Sequence, residues 1–198
     1  LFAVRSRTNF DDSSLLGASL VPYLVVSIGG WQWAMAPVIV FANYLFLDIS
    51  RKKDTGSTYT INALLAVTMP GFFWLMLYHR YQDDIYFFSY SLGYMAELIG
   101  AYLTQWTVQD AERSFLTLSV TGASFGYGMI MLPYLLFSSG NFSFAIVGLS
   151  VVIALFSGQL LCSLVPVLRT FSAVTDKFLV QGIIGFVASI VPLFVPLG

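Results

Sequence analysis

Glu97 is the residue in this chain whose position most suggests chemistry. It lies well inside an apolar run, Tyr86–Leu103, with no lysine or arginine in that run to pair with it. An ionisable group at membrane depth is costly, so it marks a candidate site for a proton, an ion or a small solute. Tyr94 stands one helical turn back and is placed to donate a hydrogen bond to Glu97, and Tyr90 extends the same face. The plainer alternative is a hydrogen-bonded glutamate that locks helix packing.

Other reactive residues are sparse. His79, Asp83 and Asp84 sit together in a polar connection, which reads as a solvated turn with Asp83 or Asp84 capping the next helix rather than as a metal site. One histidine cannot supply a two-histidine haem ligand set or an H-E-x-x-H zinc site. No P-loop and no dinucleotide fingerprint is present. The expectation is a protein that is not an enzyme, with no cofactor or metal, though bound lipid or pigment is compatible with 17% aromatic residues. A net charge of −1 gives no reason to expect nucleic acid. The lone cysteine, Cys162, lies in an apolar run and has no partner for an intramolecular disulfide.

Small residues form stripes that would let helices approach closely in lipid. Ser89, Gly93, Ala96 and Gly100 share one helical face; Gly122 and Gly126 are spaced as G-x-x-x-G; Gly182, Gly185 and Ser189 form a third set. These predict helix packing, within the chain or against other membrane subunits or a second copy.

The elements that must position these residues follow from hydropathy. Of the 198 residues, 58% are hydrophobic and 10% charged, against about 25% charged in an ordinary soluble domain. The expected fold is an all-α integral membrane protein with about seven transmembrane helices, six as the runner-up, and no soluble domain. Residues 1–14 read as a polar tail and residues 15–198 as the transmembrane domain. No cleavable signal sequence is read, because the first apolar run continues into further membrane sequence. Leu15 to Leu47 carries no charge, and a single helix of that length would reach about 50 Å, too long for hydrocarbon. Gly29-Gly30 splits it, followed by Trp31 and Trp33, which are expected at the membrane–water interface. Spans 1 and 2 are therefore about 13–29 and 31–48, with one tilted span plus a re-entrant piece as the alternative. Spans 3 to 7 are about Tyr59–Leu77, Tyr86–Leu103, Phe115–Phe137, Phe144–Leu168 and Phe178–Leu197.

Seven spans put Arg5, Arg7, Arg51, Lys52, Lys53, Arg113, Arg169 and Lys177 on one side and only Arg80 on the other. Cationic loops stay on the cytoplasmic side, or the matrix or stromal side of an organelle, which places the N-terminus there. Arg51, Lys52 and Lys53 would meet anionic lipid headgroups. Ser14-x-x-Gly17-Ala18-Ser19 is echoed by Ser119-x-x-Gly122-Ala123-Ser124, the pattern of a parallel repeat with span 4 as linker. Asn141-Phe142-Ser143 matches the glycosylation pattern in a loop too short to use it.

Gly126-Tyr127 followed by Met131-Leu132-Pro133, with two further spans after it, resembles the Yip-type five-span trafficking domain over spans 3 to 7. The Asp-x-x-Gly-Pro pattern that precedes that domain's first span is absent. The resemblance implies a trafficking or lipid-handling role. From the residues themselves two readings stand ahead of it: a non-catalytic subunit or scaffold of a larger membrane complex, and a small transporter or channel working around Glu97.

Overall fold

A computed structural model describes residues 10–50, 61–109, 130, 182–183 and 185–194. Among these the chain is helical, with no β-strand. The helices are α1 (Asp12–Gly29), α2 (Trp31–Ser50), α3 (Ile61–Tyr81) and α4 (Asp84–Gln109). A short apolar helix, α5 (Gly185–Phe194), ends in a 3-10 turn over Val191–Phe194. Spans 5 and 6, the 119–124 echo, Cys162, Asn141 and the residues that carry the Yip-type resemblance lie outside the described residues.

Local chemistry sets the helix ends. Asp11 caps α1: its carboxylate accepts from the Ser14 N–H at 2.7 Å and from the Ser13 hydroxyl at 2.9 Å. The split at the glycine pair is as the sequence predicts. Gly30 adopts φ 89°, a backbone that disfavours any side chain, and its N–H closes α1 onto the Val26 carbonyl at 2.9 Å. At the other tight connection Gln82, at φ 55°, ends α3 with its N–H on the Tyr78 carbonyl. Its amide also donates to the carbonyls of Tyr78 and His79, which holds the left-handed turn. Asp83 then caps α4 by accepting from the Ile85 N–H at 3.0 Å. α3 runs past Leu77 to Tyr81 and α4 past Leu103 to Gln109, because hydropathy locates where the apolar stretch stops and not where backbone hydrogen bonding does.

The two hairpins pack side by side. α1 neighbours α2 and α3, while α4 neighbours α2, α3 and the 3-10 turn. Gly17 lies against Leu64 and Ile61, and Gly29 against Leu75, so α1 and α3 run parallel. Tyr90 meets Trp33 near the starts of α4 and α2, so these two also run parallel. Chain direction thus alternates from helix to helix. α2 ends, and α3 begins, at the end of the bundle where α1 starts.

The core is aromatic. Trp33 is its hub, with ring centroids 4.5 Å from Phe87 and 4.7 Å from both Tyr78 and Tyr90. This corrects one expectation. Trp31 is 55% exposed, but Trp33 is 1% exposed and interior. Residues two apart on a helix point to opposite sides, so only one of the pair can face outward.

Prolines inside α1, α2 and α3 each delete one helical N–H. Pro37 cannot donate to the Trp33 carbonyl four residues back, and the Tyr90 hydroxyl donates to that carbonyl instead, at 2.6 Å. Pro70 likewise leaves the Ala66 carbonyl without its helical donor, and Gly182 packs directly on that oxygen.

Candidate functional site

α4 carries the candidate site, and its environment is unlike that of the other helices. Every residue from Phe87 to Leu98 is buried. The polar side chains Ser89, Ser91 and Glu97 are buried with them. Ser91 is satisfied, its hydroxyl donating to the Phe87 carbonyl at 3.0 Å. Ser89 Oγ and Glu97 Oε2 are fully buried with no hydrogen-bond partner. Glu97 is 2% exposed and is the one acidic or basic side chain buried among the described residues.

The three residues expected to share a face are parted by the fold. Tyr90 turns to α2 and spends its hydroxyl on the Trp33 carbonyl. Tyr94 turns to α3, where a Cβ added at Gly71 would lie 2.6 Å from its hydroxyl oxygen. Glu97 turns to α5, where a Cβ added at Gly185 would lie 2.8 Å from its Cγ and 3.1 Å from Oε1. The two tyrosine rings touch, with centroids 4.9 Å apart. The hydrogen bond expected from Tyr94 to Glu97 does not form, because positions i, i+4 and i+7 still fan across enough of the helix to reach three neighbours.

Small residues shape the α4–α5 seam. Gly93 stands opposite Ser189 and the Gly185 carbonyl, at 3.3 Å and 3.5 Å from where its Cβ would be. α5 therefore runs antiparallel to α4, with Gly185 beside Glu97, Ser189 beside Gly93, and the 3-10 turn continuing towards Ser89. Ser189 ties the seam to α3: its hydroxyl accepts from Trp74 Nε1 at 2.7 Å and donates to the Phe186 carbonyl at 2.6 Å. Ala96 is wholly buried. Gly100 continues α4 beyond the residues whose packing is described. Gly122, Gly126, Arg51, Lys52 and Lys53 lie outside the described residues.

Sequence reasoning missed two members of this site. Ser89 reads as one more small residue in a stripe, yet it is a second buried polar group without a partner. Trp74, which holds Ser189, is indistinguishable in sequence from its aromatic neighbours.

The 79–84 connection is exposed, with Asp83 engaged as a helix cap and the Arg80 guanidinium 5.8 Å from the Tyr81 ring centroid. No group of three or more metal-ligating side chains occurs among the described residues. The chemistry that the described residues offer at the seam is that of a single carboxyl, with no counter-ion among them beside it. It can hold or release a proton, whereas a bare metal ion needs several oxygen ligands at once. No protein-family model, no curated protein and no solved structure matches this chain.

Proposed function

We propose that the chain is a multi-pass integral membrane protein serving as a non-catalytic subunit or scaffold of a larger membrane assembly, with its N-terminus on the cytoplasmic, matrix or stromal side. Among the described residues one helix, α1, is long and apolar enough to cross a membrane, and only 28% of it is buried. A core helix of a soluble protein would be mostly covered. α2 and α3, at 20 and 21 residues, also have the length for a crossing of about 30 Å.

The observation that carries the reading is the outward surface. Leu16, Leu20, Tyr23 and Leu24 on α1, Val38 on α2, and Leu65, Met69, Phe73 and Met76 on α3 are all exposed. A surface so continuously apolar suits lipid or partner helices and not water. The alternating chain direction supports it, since α2 and α3 then end at opposite ends of the bundle. Single-cysteine variants Lys52→Cys and Arg80→Cys test the topology: an impermeant maleimide should label them from opposite sides of sealed vesicles. Purification in mild detergent tests the role, with further membrane subunits or a second copy expected to co-purify. Recovery of a lone chain of this mass argues against a subunit.

A second reading, a small transporter, is favoured by one observation only. The interior holds a carboxyl and a hydroxyl that no packing role explains.

A further inference from the structure

The buried, unpartnered atoms Glu97 Oε2 and Ser89 Oγ both belong to α4, eight residues apart, which is about 12 Å along its axis and about 80° around it, flanking Gly93. Gly93 falls between them, and α5 faces this stretch with Gly185 and Ser189. A helix that only needed packing here would carry apolar residues at positions 89 and 97, since an unpaired buried polar group costs about 1–3 kcal/mol. The cost is borne at two places on one helix, either side of the Gly93 that meets α5, and nowhere else among the described buried side chains.

We infer that the α4–α5 seam binds and passes protons, with Glu97 as the proton-binding carboxyl and Ser89 as the hydroxyl station between it and the 79–84 end of the bundle. The inference rests on the second reading above and names its cargo. Among the described residues no second acid, histidine or cysteine joins Glu97 in a metal-ligating group, and a single carboxyl suits a proton and cannot by itself strip a metal ion of water. Room for the carboxyl comes from Gly185, because any side chain there would meet the Glu97 stem. Among the described residues the titratable groups near Glu97 are Tyr94 and Tyr90 on its own helix. α5 contributes none, α2 carries Tyr44 and Asp48 in its second half, and α3 carries Tyr78, His79, Arg80 and Tyr81 at its far end. The carboxyl takes one proton from water reaching it past Ser89 and gives one up on the other side, cycling between acid and carboxylate. Protons are conserved and no other reactant enters.

Reconstitution of the full chain tests this. Vesicles holding a pH-sensitive dye are given a potassium gradient and valinomycin, and inward proton flux is read from the dye. Flotation on a density gradient reports insertion. Wild-type protein should float with the vesicles and carry a flux that is unchanged when external sodium and potassium are replaced by choline. Glu97→Gln mimics the protonated acid in shape and should float and keep its helix content, yet fall to the flux of protein-free vesicles. Ser89→Ala should lose part of the flux. Infrared difference spectra should show a protonated carboxyl band that is missing in Glu97→Gln. The proposal is overturned by a floating wild type without flux, by undiminished flux in Glu97→Gln, or by the absence of that band. A Glu97→Gln chain that fails to fold also overturns it, since the neutral form would then not be the native one. Wild-type protein that stays at the bottom of the gradient refutes the membrane reading itself, which separates that failure from the others.

Discussion

α1 and α4 are both helical and both rich in apolar residues, yet they solve opposite problems. α1 shows most of its length to the outside and buries a narrow strip made of Ser14, Leu15, Gly17, Ala18, Val21 and Val25. α4 is covered on every side from Phe87 to Leu98 and holds the polar groups without partners. The outer helix needs small residues on one edge and is indifferent elsewhere. The inner helix is constrained at every position, and any polar atom on it must be satisfied, be tolerated at a cost, or be used. Apolar content does not separate the two cases, because the exposed side chains of α1, Leu16, Leu20, Tyr23 and Leu24 among them, are as apolar as those of the core.

The comparison breaks most visibly with aromatic deletions. Trp74 is fully buried and holds Ser189, so Trp74→Ala should cost about 3–5 kcal/mol, whereas Tyr23→Ala on exposed α1 should change stability by less than about 0.5 kcal/mol. Chemical denaturation in detergent micelles reads both, and similar costs at the two sites would erase the distinction. A charge on the outer helix asks a different question. Leu20→Arg should cost about 3–4 kcal/mol of insertion free energy if α1 faces lipid near mid-bilayer. It should cost almost nothing if α1 faces water, and an in-vitro insertion assay with a glycosylation reporter decides.

Gly182→Ala comes next, at about 1–3 kcal/mol, because the new Cβ meets the Ala66 carbonyl and two backbones must part. Pro70→Ala should soften that loss by returning a helical N–H to the same oxygen. Tyr90→Phe removes the donor that stands in for the one Pro37 lacks, at about 1–2 kcal/mol. In a Pro37→Ala background the carbonyl regains its own helical donor, so the same change should cost less. A double-mutant cycle measured by thermal unfolding gives the coupling, and strict additivity would show that the two groups do not share the Trp33 carbonyl.

How much of this could be read from sequence depends on how local the cause is. The break at Gly29-Gly30 and the cap at Asp83 are local, since a backbone angle and a short acceptor decide them, and both were legible. The existence of α1 to α4 was legible because each is an apolar run of helical length bounded by polar or glycine residues. The inward turn of Trp33 was not, because interfacial preference describes tryptophan on average and says nothing of which neighbour awaits it. Glu97 could be picked out as an isolated acid. That its face belongs to α5 and not to the tyrosines depends on residues nearly ninety positions away along the chain. Ser89 was hidden by its own smallness: only the packed bundle distinguishes a serine that fills space from one whose hydroxyl has nothing to bond.

The smallest effect sharpens the contrast from the outer helix. Burial alone would push the Asp11 carboxyl up, but this is outweighed by hydrogen bonds from Ser14, chiefly its N–H, and from the Ser13 hydroxyl, and it rests below its ordinary value of 3.8. A carboxylate held low in the folded state adds stability that is present above the ordinary value and lost as pH falls through the folded one. Acid should therefore loosen the first turn of α1. Asp11→Ala should loosen it at every pH, by about 1 kcal/mol. Asp11→Asn keeps an equally good cap without a titrating proton, so its first turn should hold as the pH falls. Amide chemical shifts of Ser14 and Leu15 followed by NMR through this range separate the three cases. If Asp11→Asn loosened along the wild-type curve, the cap would not be the group that titrates, and the order at the start of α1 would have to come from its packing on Ile61 and Leu64.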